Sequence, residues 1–450
     1  MGIFKAYDIR GIYNQDFDKH MVYRIGFFLP KLLKADKVII GRDVRISSPE
    51  IFEYLVKGVT DAGADVCSIG LATTPMVYFA TAKHGFDASV QITASHNAKE
   101  YNGLKISTTD ALPVGYDTGL ATLEEMVKTQ EICPAKDKGS VYEKDIYNEY
   151  VTFFEKYKDD FSNLKICVDC SNGMAAVVIK DVLGKDVQYI YDTLDGTFPN
   201  HEPNPLIEEN VQDLKQLVKE NYADIGIIFD GDADRVMFVD EKGKFISPDL
   251  MIAVIAKYFL GNNKVTAQYH ILHDIRTSKS VSEYSSKLGS KVHMWKVGHA
   301  FAKRKLREID GIFGGELAGH YYFRDFFYCD SGILAAMIVL NVVKQLKQEG
   351  NTLSSFIETI NPYAYSGEIN FKIENKQQAM ETLKEEFSKQ EEVTAFHDFD
   401  GYRVEFKTWW FNVRPSNTEP YLRLVVEAKD DKLLDNKLKA IKKILHQYSV

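Results

Sequence analysis

Cysteine is scarce: Cys67, Cys133, Cys167, Cys170 and Cys329 are the whole complement of a 450-residue chain. Few, odd in number and scattered, they exclude a disulfide framework and point to a reducing compartment, so a cytoplasmic protein is expected. Cys167 and Cys170 have CxxC spacing, but no second pair stands nearby to complete four zinc ligands. Positive charge is also in deficit. Lys and Arg number 55 against 64 Asp and Glu, a net of 55 − 64 = −9, which lacks the basic footprint of a nucleic-acid binder. Any anionic ligand therefore needs a local basic pocket. Apolar runs such as residues 333–340 fall far short of the ~18 residues of a membrane span. The N-terminus shows no signal-peptide pattern, and position 6 is not the Ser or Thr that myristoylation of Gly2 would want. No Gly-x-Ser-x-Gly occurs around Ser95, which argues against a hydrolase elbow there.

At one domain per ~150 residues the length suggests about three domains. Three stretches alternate short apolar runs with helical periodicity, the signature of βαβ units and largely parallel sheets. The first reads as strands at 37–40, 65–69 and 88–93 with helices at 49–62 and 75–84. The second has strands at 165–169, 187–191 and 224–229 and helices at 174–183 and 208–220. The third is less regular, with helices near 249–260, 278–288, 300–308 and 331–347. These blocks read as an architectural repeat without a repeat at residue level. After Pro362 the pattern becomes α+β with an antiparallel sheet: strands at 368–373, 402–406, 409–413 and 422–428, and helices at 376–390 and 431–446. Boundaries are expected at 139/140, 243/244 and 362/363, in polar stretches.

Four segments carry chemistry. Thr93-Ala94-Ser95-His96-Asn97 follows a buried strand, where open α/β sheets bind ligands, so Ser95 is a candidate nucleophile. Lys105 lies close behind it to supply charge or a proton. Asp230-Gly231-Asp232-Ala233-Asp234-Arg235 places three carboxylates at every second position, able to converge on a hard cation such as Mg²⁺. An EF-hand is excluded because loop position 6 is Arg235 instead of Gly and the flanks read as strands. Gly314-Gly315-Glu316-Leu317-Ala318-Gly319-His320 is a glycine-rich loop in which Glu316 can accept hydrogen bonds from sugar hydroxyls. Arg414-Pro415-Ser416-Asn417-Thr418 holds the parts of a phosphate cradle: a guanidinium, hydroxyls, an amide and turn N–H groups. Lys296-Val297-Gly298-His299 and Asp274-Ile275-Arg276 add further polar groups.

Taken in order, these segments resemble the α-D-phosphohexomutase superfamily, most closely its phosphomannomutase/phosphoglucomutase branch. Phe4-Lys5-Ala6-Tyr7-Asp8-Ile9-Arg10-Gly11 is similar to its N-terminal signature, 93–97 to its phosphoserine loop and 230–235 to its metal loop. Residues 315–320 resemble its sugar loop and 414–418 its phosphate-binding loop. The resemblance covers nearly the whole chain and implies three related mixed α/β domains (1–139, 140–243, 244–362). A C-terminal α+β domain (363–450) of TATA-box-binding-protein-like topology would complete a central cleft. It further implies that Ser95 carries a phosphoryl group and that Asp230, Asp232, Asp234 and a phosphoserine oxygen hold Mg²⁺. A hexose phosphate would exchange its 1- and 6-phosphates through a 1,6-bisphosphate that turns around in the cleft. Arg10, Lys105 and His299 would move protons or stabilise charge, and Tyr7, His96, Asn97 and Arg235 would shape the serine site. Arg276, Glu316, Ala318, His320, Arg414, Ser416, Asn417 and Thr418 would bind substrate. Where the family's sugar loop commonly carries Ser, this chain has Ala318, which bears on the choice among mannose, glucose and glucosamine phosphates. A monomer or dimer is expected, with no nucleic-acid or membrane partner.

Two other readings compete. A haloacid-dehalogenase-type phosphatase would use Asp230 as nucleophile, but Asp234 stands where that loop wants Thr or Val, and Ser95 and Arg414 would have no role. A non-catalytic sugar-phosphate or cation-binding protein would need no labile phosphoserine.

Overall fold

The computed structural model describes residues 2–261, 269–416 and 421–448. The N-terminal block forms β1 (Ile9–Ile12), β2 (Lys37–Arg42), β3 (Asp65–Leu71), β4 (Ala88–Ile92), β5 (Tyr101–Thr108), β6 (Leu112–Pro113) and β7 (Val141–Glu143). Their order is β1-β5-β4-β2-β3-β7, with β6 on β5. Since β7 pairs with β3, this sheet runs just past the expected 139/140 boundary. The second block contributes β8 (Ile166–Asp169), β9 (Gln188–Ile190), β10 (Ile225–Phe229), β11 (Val236–Asp240) and β12 (Phe245–Ile246), ordered β12-β11-β10-β8-β9. The third contributes β13 (His270–Asp274), β14 (Lys291–Trp295), β15 (Phe313–Gly315), β16 (Tyr321–Phe323) and β17 (Cys329–Asp330), ordered β14-β13-β15-β16-β17.

One topology underlies all three. A central strand (β2, β8, β13) is parallel to its neighbours on both sides, β3 and β4, β9 and β10, β14 and β15. The next strand (β5, β11, β16) then folds back antiparallel on the third. The sheets are thus mixed, not largely parallel, because an antiparallel neighbour needs only a short connection whereas a parallel one needs a crossover. The repeat has a functional consequence. Residues 93–100, 230–235 and 316–320 are the same connection in three copies of one fold.

The predicted helix at 174–183 is instead a 3-10 turn, Met174–Val177, and a short helix, Ile179–Leu183, separated at Val178. Its first turn is committed elsewhere: the Met174 N–H bonds the Gly231 carbonyl at 2.9 Å, bracing the acidic loop. Likewise the helix predicted at 208–220 opens as a 3-10 turn over Glu208–Val211 before Gln212–Glu220. The other predicted helices form within a residue or two of their expected ends.

The last block is an antiparallel sheet of β18 (Ala364–Tyr365), β19 (Ile369–Lys372), β20 (Ala395–His397), β21 (Tyr402–Glu405), β22 (Trp409–Pro415) and β23 (Tyr421–Ala428). Its order is β18-β23-β22-β21-β20, with β19 on β23. Along β22, alternation sends Trp409, Phe411 and Val413 into a core shared with the helices Lys376–Gln390 and Asp431–Leu445. Trp410 takes the other face and packs with Leu317 of the third block, and the Arg403 guanidinium stacks on it at 3.6 Å. By the same alternation Arg414 shares the face of Trp410.

The first three blocks are joined by one hydrophobic core. Helix Thr74–His84 is buried along most of its length because it lies inside that core, with Phe79 against Tyr150, Phe153, Phe326 and Phe327. Among the described residues no helix is long and apolar enough to cross a membrane.

Candidate active site

The three equivalent connections converge on one cluster built around Ser95 and the three aspartates. Ser95 is buried and sits at φ +52°, in the left-handed region that few non-glycine residues adopt. Its N–H bonds Thr93 Oγ1 at 2.9 Å, and its Oγ donates to Asp230 Oδ2 at 2.8 Å and lies 3.3 Å from His96 Nδ1. Asp230, Asp232 and Asp234 are fully buried, and each brings a carboxylate oxygen within 4.8 Å of the others. Lys105 crosses from β5 to place Nζ 2.6 Å from Asp232 Oδ2, with Asp234 Oδ2 as second partner. Thr74, at the start of its helix, bonds Asp232 through both its hydroxyl and its N–H.

Burial, compounded by Asp232 and Asp234, pushes the Asp230 carboxyl well above its ordinary range. Burial also works against the Asp234 charge, but Lys105 and His320 hold that carboxyl below its usual value. Burial opposes the Lys105 charge as well, and Asp232 and Asp234 override it to keep the ammonium on. The set fits a hard divalent cation: all three groups donate oxygen, and their negative charge exceeds what one lysine cancels. Moreover, Asp232 Oδ1 and Asp234 Oδ1 are buried without a hydrogen-bond partner among the described residues. A bound cation would relieve the repulsion that raises Asp230.

The third connection joins this centre through Arg235 and His320, which bridge backbone to backbone and side chain to side chain, Arg235 Nε lying 3.0 Å from His320 Nε2. His320 Nδ1 lies 2.7 Å from Asp330, and Asp330 lies 2.7 Å from Lys303, whose ammonium sits 3.5 Å over the Tyr78 ring. Glu316 accepts from the Gly298 N–H at 3.2 Å and from the Tyr322 hydroxyl at 3.0 Å. His299 follows, its ring 5.8 Å from His320 and 5.7 Å from Tyr7. Burial, aided by Lys303, holds His299 well below its ordinary pKa, so the imidazole is neutral, and its Nδ1 has no partner among the described residues. His96 is held down likewise, by burial and then by Arg235 and Arg10. Tyr7 donates to the Val297 carbonyl at 2.9 Å. Arg10 bonds Asn97 Oδ1 at 2.7 Å and pairs with Asp8; burial works against the guanidinium charge, and the Asp8 carboxylate overrides it to hold Arg10 above its ordinary range.

The remaining expected residues stand farther out. Arg276 forks onto Asp274, at 3.2 and 2.7 Å, and reaches Glu368 of the last block at 3.1 Å, so it braces the sugar-loop side. Ala318 is half-buried beside Glu316. Arg414 donates to Asp400 Oδ1 at 3.2 Å, while its Nη2 is buried without a hydrogen-bond partner among the described residues. Asp400 Oδ2 accepts the Val297 N–H at 2.7 Å, tying the cradle to the segment before His299. Ser416 bonds the Tyr421 carbonyl through its N–H at 2.9 Å; Asn417 and Thr418 lie outside the described residues. The sequence reading missed Arg45, Thr74, Lys303, Asp330 and Asp400. Only Arg45 left a signal, as part of a charged Asp43-Val44-Arg45 run directly after a buried strand.

Family models of phosphoglucomutase/phosphomannomutase match in order: alpha/beta/alpha domain I over residues 1–132, domain II over 142–243, domain III over 247–363 and the C-terminal domain over 368–444. A phosphomannomutase of Methanocaldococcus jannaschii is 37% identical over 452 residues, covering 98% of this chain and 97% of that one. One of Escherichia coli is 37% identical over 449 residues, covering 96% of each. The solved structure of a phosphoglucomutase/phosphomannomutase family protein from Burkholderia thailandensis superposes with a TM-score of 0.86 at 28% identity, covering 99% of this chain and 97% of that one. Such matches along the full length make the chain an enzyme of the phosphoglucomutase/phosphomannomutase family.

Proposed function

We propose that the chain interconverts the 1- and 6-phosphates of a hexose, mannose or glucose, by way of a phosphorylated Ser95 and a hexose 1,6-bisphosphate. The observation that carries this reading is Ser95 itself, an Oγ held 2.8 Å from one carboxylate of a buried acidic triad. A reversible transfer needs a group that can both give and take the phosphoryl. In the first half-reaction the Ser95 Oγ–P bond breaks as a bond from phosphorus to the free sugar hydroxyl oxygen forms. The bisphosphate then turns over in the cleft, and the other phosphoryl returns to Ser95 by the reverse step.

Asp230, Asp232, Asp234 and a phosphoserine oxygen would hold Mg²⁺. When bound, the ion supplies charge neutralisation at the transferring phosphoryl. Lys105 and Arg10, whose charges are fixed by neighbouring acids, stabilise the same negative charge. Neutral His299 is equipped to accept the hydroxyl proton in one half-reaction and to return it in the other. His96 and Arg235 shape the serine pocket. Tyr7, Asn97, Arg276, Glu316, Ala318 and His320 would serve the sugar side, and Arg414, Ser416, Asn417 and Thr418 would cradle the phosphate that is not reacting. The unpartnered Arg414 Nη2 supports that last role, because a buried guanidinium N–H calls for an acceptor.

The same proposal divides the chain at 1–139, 140–243, 244–362 and 363–450, with β7 crossing the first division to complete the first sheet. Five free cysteines, four of them buried, support a reducing, cytoplasmic setting. Against a phosphatase using Asp230 as nucleophile, that carboxylate is engaged by the Ser95 hydroxyl, which donates to its Oδ2 at 2.8 Å. Incubation with Mg²⁺ and each of mannose, glucose and glucosamine 1-phosphate, followed by ³¹P NMR, tests the proposal. Formation of a 6-phosphate is expected, with mannose or glucose preferred; release of inorganic phosphate alone would overturn it.

A further inference from the structure

Each of the first three domains ends its central strand on an aspartate: Asp43 just after β2, Asp169 closing β8 and Asp274 closing β13. In all three, the N–H two residues onward bonds Oδ1 of that aspartate: Arg45 at 3.0 Å, Ser171 at 2.8 Å and Arg276 at 2.7 Å. From each of these turns a group reaches the site connection of its own domain. Ser171 Oγ donates to the Phe229 carbonyl at 2.6 Å, one residue before Asp230. Asp274 Oδ2 accepts the Leu317 N–H at 2.9 Å, beside Glu316. In the first domain the reach is longest, and Arg45 makes it. Asp-x-Arg, Asp-x-Ser and Asp-x-Arg are thus a residue-level repeat that the sequence blocks did not display.

We propose that Arg45 is a positioning residue for phosphoryl transfer at Ser95, the fullest member of this threefold loop clamp; the inference rests on the phosphoserine reading above. Its guanidinium is buried, and all five N–H donors are used. Nε meets Asp43 at 3.1 Å, Nη1 meets the carbonyls of Ala98 at 2.7 Å and Tyr101 at 3.1 Å, and Nη2 meets those of Ser95 at 2.9 Å and Asn97 at 2.7 Å. Three carbonyls of one loop and that of Tyr101, the first residue of β5, therefore converge on a single side chain. They need it, because a buried carbonyl without a donor is costly and the turn at Ser95, at φ +52°, removes this segment from the sheet ladder. The second domain closes over the clamp: the Phe198 ring lies 5.0 Å from the guanidinium, and Gly196 approaches Val44 so closely that a Cβ there would stand 2.3 Å from its carbonyl oxygen. Arg45 holds Ser95 by its own carbonyl and so fixes where Oγ points, toward Asp230. A lysine, with three donors on a point charge, cannot span four carbonyls and a carboxylate.

The test uses the full chain with Arg45→Lys, Arg45→Gln and Asp43→Asn. Three quantities are measured: the rate at which Ser95 takes up phosphate from glucose 1,6-bisphosphate, by intact mass; kcat and KM for hexose 1-phosphate; and amide hydrogen exchange across residues 94–102. Both Arg45 variants should phosphorylate on the order of 10- to 100-fold more slowly, with a parallel fall in kcat and a KM within about threefold of wild type, since misplacement affects the reacting atoms and not substrate capture. Amide exchange in the loop should quicken. A folded Arg45 variant with wild-type phosphorylation and exchange overturns the proposal. Should both Arg45 variants fail to fold by circular dichroism, Asp43→Asn decides on the same two readouts, slowed phosphorylation with faster exchange supporting the clamp and wild-type values overturning it. Wild-type protein that takes up no phosphate would refute the phosphoserine reading instead, and amide exchange would still test the clamp.

Discussion

Gly298 of the third domain stands directly against Tyr7 of the first, and its replacement by alanine gives a sharp prediction. The residue sits at φ +125° and ψ +132°, a conformation nearly confined to glycine, in which any other residue costs about 1 to 3 kcal/mol. An added Cβ would lie 2.5 Å from Cζ of Tyr7 and 2.7 Å from its hydroxyl oxygen. Relieving an overpacked contact of this kind costs about another 1 to 3 kcal/mol. Rather than absorb both terms, the segment should shift, carrying the Gly298 N–H away from Glu316 and His299 away from its neighbours. Displacement of about 1 Å near a reacting centre lowers turnover on the order of 100-fold. Initial rates should therefore show kcat/KM reduced by about that factor, while the urea midpoint moves only modestly. Gly70→Ala is the control: its φ is +65°, but nothing lies within 4 Å of the added Cβ, so it carries only a left-handed penalty of about 1 to 2 kcal/mol. A Gly298→Ala enzyme within twofold of wild type, or an equal loss in Gly70→Ala, would refute the reasoning.

Three further outcomes are expected. Asp232→Asn should weaken Mg²⁺ activation and cut kcat on the order of 100-fold, and EDTA should silence the native enzyme; full activity after exhaustive demetallation would contradict the metal role. Arg414→Ala should raise KM and lower kcat/KM about 10- to 100-fold, with Arg414→Lys recovering part, because a charged hydrogen bond contributes about 1.5 to 3 kcal/mol; a fall in kcat at constant KM would move Arg414 to the reacting centre. Burial pushes the His273 imidazole down to about 4, so between its ordinary value and that one the unfolded chain binds a proton that the folded chain refuses. Stability should fall as pH drops through this window, by about 2 kcal/mol at pH 5 from this group alone, and His273→Gln should flatten the dependence of the urea midpoint by that amount; an unchanged slope would count against it.

Much of the architecture is written locally. The β2 and β10 runs follow from their apolar residues, and helix Ser48–Asp61 from apolar periodicity and the proline in its first turn. Helix Lys19–Leu33 did not, because Gly26 and Pro30 within it read as breakers. Its reason lies elsewhere in the chain: a Cβ on Gly26 would stand 2.4 Å from the Leu55 carbonyl oxygen, and one on Gly58 2.2 Å from that of Tyr23, so two helices cross where neither has a side chain. The site divides in the same way. Ser95 and the three aspartates were legible because reactive groups cluster within a few residues after a strand. Lys303 and Asp330 were not, since a lysine among Lys303-Arg304-Lys305 looks solvated until Asp330, 2.7 Å away, buries it. Asp400 and Thr74 likewise acquire roles only through partners more than a hundred positions away in sequence, Val297 and Asp232.

The central claim is that Ser95 is a phosphoryl carrier, and the most direct measurement is the intact mass of the protein after incubation with glucose 1,6-bisphosphate and Mg²⁺, with the modified residue located by peptide fragmentation. Wild-type enzyme should gain one phosphate on Ser95 and lose it when chased with hexose 6-phosphate, while Ser95→Ala gains none and loses most of its turnover with the fold intact. Turnover by a wild-type enzyme that never carries phosphate, or near-native mutase rates in Ser95→Ala, would contradict it.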